Sequence, residues 1–180
     1  MPAARLARSV AAIVLAVAAG TAMACTGEPG TSSGTTPPAP TVVPANAIVV
    51  RVVDGDTVVV DVAGRRETVR LIGIDTPETV KPDAPVECFG PEASAATKEL
   101  LPDGTPVWLV RDVEARDDYG RLLAYVHRAT DGTFVNLALV RRGFATVLTF
   151  PPNTAHVDDF VAAAESAHGE QLGLWAACAG

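Results

Sequence analysis

Three runs rich in valine and isoleucine, residues 48–53, 57–62 and 68–74, follow one another with only Asp/Gly or Gly/Arg turns between them. β-Branched side chains fit a pleated surface better than a helix, and such short turns join antiparallel neighbours. The chain is therefore expected to form a three-stranded meander from Ala47 onward. Gly90-Pro91 then opens a helix through Leu101, with proline where its missing N–H does no harm. Residues 106–113 and 121–128 read as two more strands around a turn at 117–120, and 134–142 as a short helix stopped by Gly143. Residues 157–171 read as a longer helix with Phe160, Val161, Ala164 and Ala167 as its inner face. Five short strands, a helix after the third and helices at the end are compatible with a small closed barrel of the OB type. Periodicity alone does not choose that barrel over another α+β arrangement, and no internal repeat is present.

The 180 residues leave room for one globular domain and extra N-terminal segments. Residues 1–24 carry Arg5 and Arg8, then a short apolar run, then Ala22-Met23-Ala24 before Cys25, which is the pattern of an export signal. The apolar run is too short for a permanent transmembrane helix. Ala22-Met23-Ala24 suits an ordinary signal peptidase, while Cys25 directly after it resembles a bacterial lipid-attachment cysteine. The lipoprotein reading is preferred because residues 25–46 form a Thr/Ser/Pro/Gly-rich tether; the alternative is a secreted protein with Cys25 near its new N-terminus. The expected division is a signal peptide at 1–24, a linker at 25–46 and a folded domain at 47–180. If lipid consumes Cys25, Cys88 and Cys178 remain as a candidate disulfide pair, the alternative being two separate thiols.

Residues 69–79 carry the chemistry: Arg70 sits inside an apolar strand, and Asp75 and Glu78 follow its end. A guanidinium can hold an anionic phosphate oxygen while carboxylates gather a hard cation beside it. Asp54-Gly55-Asp56-Thr57 is a routine hairpin signal on its own, and Asp56 could add a further carboxylate. Calcium suits such a set, since it takes about six to eight oxygens from carboxylates, carbonyls and waters. Arg70 must either reach the surface or find an anion, because burying it alone is very costly. His127, His156 and His168 have no metal-ligand spacing, and Trp108, Trp175 and Tyr125 read as packing residues.

Together with Asp117-Asp118-Tyr119-Gly120-Arg121, these segments resemble the staphylococcal nuclease (thermonuclease) family. The likeness runs from Ile48 to Trp175 and includes Cys88-Phe89-Gly90-Pro91-Glu92-Ala93-Ser94, Val135-Asn136-Leu137-Ala138-Leu139-Val140 before Arg142-Gly143, and Leu172-Gly173-Leu174-Trp175. It implies an α+β, mainly β fold, a five-stranded OB barrel with three helices. It also implies Ca2+ on Asp56, Asp75 and the Thr76 carbonyl, with Glu78 joining through water. Arg70 and Arg121 would grip the phosphate, Glu78 would act as general base or orient water, and Tyr119 and Lys81 would contact substrate. The implied activity is calcium-dependent hydrolysis of DNA and RNA at the 5′ P–O bond, by a monomer outside the cytoplasm that touches membrane only through a lipid anchor. The alternative classes are a non-catalytic OB module that binds nucleic acid or phosphorylated ligands, and a surface protein using the fold as scaffold. Degenerate binders are expected to lack some of the chemical residues, and this chain keeps Asp56, Arg70, Asp75, Glu78 and Arg121.

Two features depart from that pattern. The net charge is −7, and removing residues 1–24 takes away two arginines and no acid, although nucleic-acid affinity normally comes from Lys and Arg displacing counterions. Asp118 stands where relatives can carry lysine, and residues 146–152 lack the tyrosines some relatives use, leaving Tyr119 and Phe150 as stacking candidates.

Overall fold

The computed structural model describes residues 44–80 and 85–178. The expected export signal, Cys25, most of the linker and Lys81 lie outside the described residues. Strands β1 (Ala47–Asp54), β2 (Thr57–Val62), β3 (Arg65–Leu71), β5 (Pro106–Val110) and β6 (Leu122–Arg128) close into a barrel in the order β1-β2-β3-β6-β5. All pairs are antiparallel except β3 with β6. Closure removes every open edge from this sheet, the usual danger of a small β protein. A second, two-stranded sheet pairs β4 (Gly73–Asp75) with β7 (Thr146–Leu148).

Val49, Val58, Val60, Val69, Leu71, Val107 and Val126 are fully buried in the barrel core. Each such side chain contributes about 1.5 to 3 kcal/mol on burial. Helix α1 (Gly90–Leu100) packs on β1, and α2 (Val135–Arg141) bridges β6 and α3 (Val157–Gly169). A short α4 (Leu174–Ala177) follows a left-handed turn at Gly173. No helix among the described residues is long and apolar enough to cross a membrane.

Three sequence expectations shift. The run 68–74 is two strands, because Gly73 takes a φ of +82° and turns the chain out of the barrel toward β7; a Cβ there would meet the Phe160 ring at 2.2 Å. The strand expected at 106–113 ends at Val110, after which Asp112 accepts hydrogen bonds from the Tyr125 hydroxyl and the Ala155 amide, each at 2.9 Å. On α3 the buried face is Phe160, Ala163 and Ala167, whereas Val161 is exposed. That spacing of three and four keeps the residues on one side, and Val161 lies about 100° around the axis from Phe160.

Asn136 is fully buried and joins three elements: its Oδ1 accepts from the Val126 amide at 2.9 Å, and its Nδ2 donates to the Ile72 carbonyl at 2.9 Å. It satisfies the backbone where β3 gives way to β4, which a ladder no longer does. Cys88 and Cys178 are joined by a disulfide with their Cα atoms 6.0 Å apart.

Candidate active site

Strand register brings the charged residues to one end of the barrel. Thr57 pairs with Arg70 across β2 and β3, so Asp56, the residue before Thr57, stands beside Arg70. Val69 pairs with Leu122 across the parallel β3–β6 ladder, which brings Arg121 to the same end. Asp75 ends β4, where its partner is Thr146. These residues line a cleft of about 1010 Å³ together with Thr76, Glu78, Tyr119 and Phe150.

Arg70 is turned away from bulk solvent; its side chain is 13% exposed and both terminal nitrogens have protein partners. Nη2 lies 2.7 Å from Asp75 Oδ1 and 3.1 Å from Asp56 Oδ2, while Nη1 donates to the carbonyls of Leu71 and Ile74. Asp56 Oδ2 also accepts from the Thr76 amide at 3.1 Å and the Thr76 hydroxyl at 3.2 Å, and its Oδ1 accepts from the Thr57 hydroxyl at 3.0 Å. The tight turn beneath depends on Gly55, where a Cβ would lie 2.5 Å from Thr76 Oγ1. Helix α1 braces the turn from below, since the buried Thr97 hydroxyl donates to the Gly55 carbonyl.

Asp54 does more than make the hairpin turn. It is buried, and its Oδ1 accepts from the Gly55 amide at 2.8 Å and from the Thr79 hydroxyl at 2.6 Å. Burial pushes its carboxyl up, but the Thr79 hydroxyl and the other hydrogen bonds outweigh that and hold it below the ordinary value. The bond from Thr79 ties the hairpin to the segment carrying Glu78. Glu78 Oε1 in turn accepts from the amides of Thr79 and Val80, at 2.9 and 2.8 Å.

Arg121 lines a second wall of the cleft, beside β6. Its Nε donates to Asp117 Oδ2 at 2.7 Å, its amide donates to Asp117 Oδ1 at 2.9 Å, and its guanidinium lies 5.5 Å from the centre of the Tyr119 ring. Arg116 holds this turn from outside with a two-pronged bond to Glu67 at 3.0 Å on each arm and a bond to the Gly120 carbonyl. Tyr119 is 86% exposed and Phe150 68% exposed, so both rings stand free at the rim.

The donor set fits a hard cation better than a soft one. Asp56 and Asp75 converge on a single guanidinium nitrogen, all candidate donors are oxygens, and Asp75 is pushed above its ordinary value. Burial is the main cause; Arg70 opposes it, and the neighbouring carboxylates of Asp56, Glu87 and Glu78 reinforce it. A site with this surplus of negative charge gains from a bound cation. Among the described residues no group of three or more His, Cys, Asp or Glu is arranged to hold a metal, so carbonyls and water would have to complete the shell around the two carboxylates.

Sequence reasoning gave no role to Glu87 or Arg116, nor to Asp117 beyond its place in the 117–121 motif. Asp117 lies four residues before Arg121, a spacing that could have flagged the pair. Glu87 reaches the Glu78 amide at 3.0 Å, a contact between residues nine apart that no periodicity encodes.

The chain matches the family described as Staphylococcal nuclease homologue over residues 68–177. It is 43% identical over 128 residues to the thermonuclease of Staphylococcus intermedius, covering 71% of this chain and 74% of that one. It is 39% identical over 127 residues to the thermonuclease of Staphylococcus hyicus, covering 71% and 73%. Endonuclease YncB of Bacillus subtilis (strain 168) is 39% identical over 131 residues, which span 72% of this chain and 61% of the relative.

Proposed function

The chain belongs to the staphylococcal nuclease family and is a phosphodiester hydrolase, and on that premise we propose that it is a calcium-dependent nuclease acting on DNA and RNA outside the cytoplasm. The observation that carries the finer reading is the convergence of Asp56 and Asp75 on Arg70 Nη2, at 3.1 and 2.7 Å, in a cleft that Arg121 also lines. Asp56, Asp75 and the Thr76 carbonyl would hold the calcium. When bound, the ion supplies positive charge to the phosphate oxygens as negative charge builds on them.

The chain's own residues do the rest. Arg121 uses only Nε on Asp117, so among the described residues its terminal N–H groups have no protein hydrogen-bond acceptor and can turn to a phosphate oxygen. Arg70 stands rigid before substrate arrives, which avoids reorganisation when charge develops in the transition state. Glu78 is half-buried at the cleft wall, and its Oε2 is not committed to the backbone amides that hold Oε1. It takes the proton of the attacking water. Cleavage at the 5′ P–O bond leaves the phosphate on the 3′ side. Tyr119 and Phe150 offer their faces to bases at the rim, and Lys81 is the further residue assigned to substrate contact. The N-terminal pattern supports export and attachment of a monomer through Cys25, with 25–46 as tether.

The deciding experiment is cleavage of labelled single-stranded DNA by the purified full chain, with calcium and with excess chelator, alongside Glu78→Gln. Cutting that needs calcium and is abolished in the variant is the expected result. A folded chain that binds the strand without cutting it at any pH or calcium level would refute the enzymatic reading in favour of a binding module.

A further inference from the structure

We propose that the Cys88–Cys178 disulfide is a positioning strap for the reaction: it holds Glu87 against the backbone of Glu78, and opening it lowers turnover rather than substrate binding. This rests on the nuclease reading above and adds to it a device that acts through residues outside the phosphate and cation sites.

Glu78 lies beyond β4, and residues 76–80 belong to no strand or helix that would fix their backbone. Two bonds join Glu78 to Glu87: the Glu78 amide donates to Glu87 Oε2 at 3.0 Å, and the Glu87 amide donates to the Glu78 carbonyl at 3.0 Å. Because Glu78 Oε1 is held by the amides of Thr79 and Val80, the aim of its carboxylate follows the local backbone. Glu87 therefore bears on the direction of Glu78 from one side, as the Thr79–Asp54 bond does from the other. Glu87 is itself exposed, so water competes for both bonds.

The next residue is Cys88, and its covalent partner is anchored. Cys178 ends α4, where its amide donates to the Leu174 carbonyl at 2.9 Å, and the Leu174 amide donates to the Gly143 carbonyl at 2.9 Å. On the other side of Cys88, Phe89 stacks on Phe144 with ring centres 5.5 Å apart. The disulfide thus spans a groove of about 270 Å³ that Asp75, Thr76 and Glu87 also line. The bond closes one residue from the side chain that grips the backbone of Glu78.

The test uses the full chain on single-stranded DNA with saturating calcium, at a temperature where circular dichroism shows every form folded. Oxidised protein is compared with the Cys88→Ser/Cys178→Ser double variant and with protein treated with a dithiol. The dithiol gives the disulfide two electrons and two protons, leaving two thiols and closing to its own cyclic disulfide. Opening the strap is expected to lower kcat about tenfold with KM within about twofold, because misplacement of a catalytic group weakens the chemical step. Glu87→Ala, with the strap intact, should reproduce the loss. Glu87→Gln, whose amide oxygen still accepts from the Glu78 amide, should retain most of the activity. An unchanged kcat in the folded, opened protein overturns the proposal, as does a Glu87→Ala variant as active as the oxidised parent. If the double variant does not fold, the two Glu87 variants decide alone. An oxidised chain that fails to cut at all would refute the nuclease reading instead, whereas cutting indifferent to the strap refutes only this one.

Discussion

The two walls of the cleft hold their arginines by different means. Arg70 stands on a barrel strand, its side chain 13% exposed, with partners drawn from the β1–β2 turn, β4 and the strand's own end. Arg121 follows a short turn, its side chain 32% exposed, and takes its polar side-chain contact from Asp117 four residues earlier. On the first wall the bonds that build the site are also bonds that build the fold. On the second, the arrangement is local, so it can adjust to a ligand at little cost to the rest of the molecule. In the proposed reaction both would serve: one preorganised cation and one free to turn to the phosphate.

The sharpest way to break this comparison is to remove each arginine in turn. Arg70→Ala is expected to lower kcat by about 10²- to 10³-fold or more and to cost about 3 to 5 kcal/mol of stability, because it leaves the buried Asp56 carboxylate without its cation. Paired single-turnover assays and denaturant melts read the two effects separately. Arg121→Ala is expected to match the kinetic loss while changing stability by no more than about 1 kcal/mol, as befits a partly exposed pair. Equal melting midpoints for the two variants would erase the distinction between the walls.

A smaller effect is expected from Asp117→Ala, which frees Arg121 but loosens its turn. KM should rise by less than about tenfold with stability nearly unchanged, since Arg116 still ties Gly120 to the barrel through Glu67. Steady-state kinetics check it, and a large loss of stability would mean the turn wall is as deeply built in as the strand wall.

The smallest effect concerns acid. Burial holds His127 below its ordinary value of 6.5, with His156 adding to the shift. The fold therefore prefers the neutral imidazole, and the unfolded chain binds more protons between the depressed value and 6.5. This contribution is present in full above pH 6.5 and is lost as pH falls through the folded value. Melting midpoints should decline on acidification through that window, and His127→Gln should flatten the decline without altering either wall of the cleft.

Much of the fold could be read directly from particular residues. The runs 48–53 and 57–62 lie within β1 and β2 because β-branched alternation and the Asp-Gly turn act between neighbours. The helix after Gly90-Pro91 was equally legible, since its signals sit within one turn of chain. Strand β7 was not, because three residues are too few to show a period, and it exists only through pairing with β4. The break at Gly73 was hidden for a related reason: glycine permits a left-handed turn, but the need for glycine at this position comes from the ring of Phe160, far along the chain.

The same division runs through the site. Residue type alone identified Arg70, Asp75 and Glu78 as a cation beside carboxylates, and the spacing of the Asp54–Asp56 turn supplied a further acid. Whether Arg70 faced solvent or an anion was even on sequence grounds, and the pairing of Thr57 with Arg70 decided it by bringing Asp56 within 3.1 Å. Asp54 looked like a turn residue until Thr79 was found bonded to it, and Glu87 carried no signal at all. Sequence determined the local conformational preferences and the chemical kinds of group available, because those depend on a few adjacent residues. Tertiary structure decided which groups meet, because register, chain reversal and loop path place atoms distant in sequence within hydrogen-bond range.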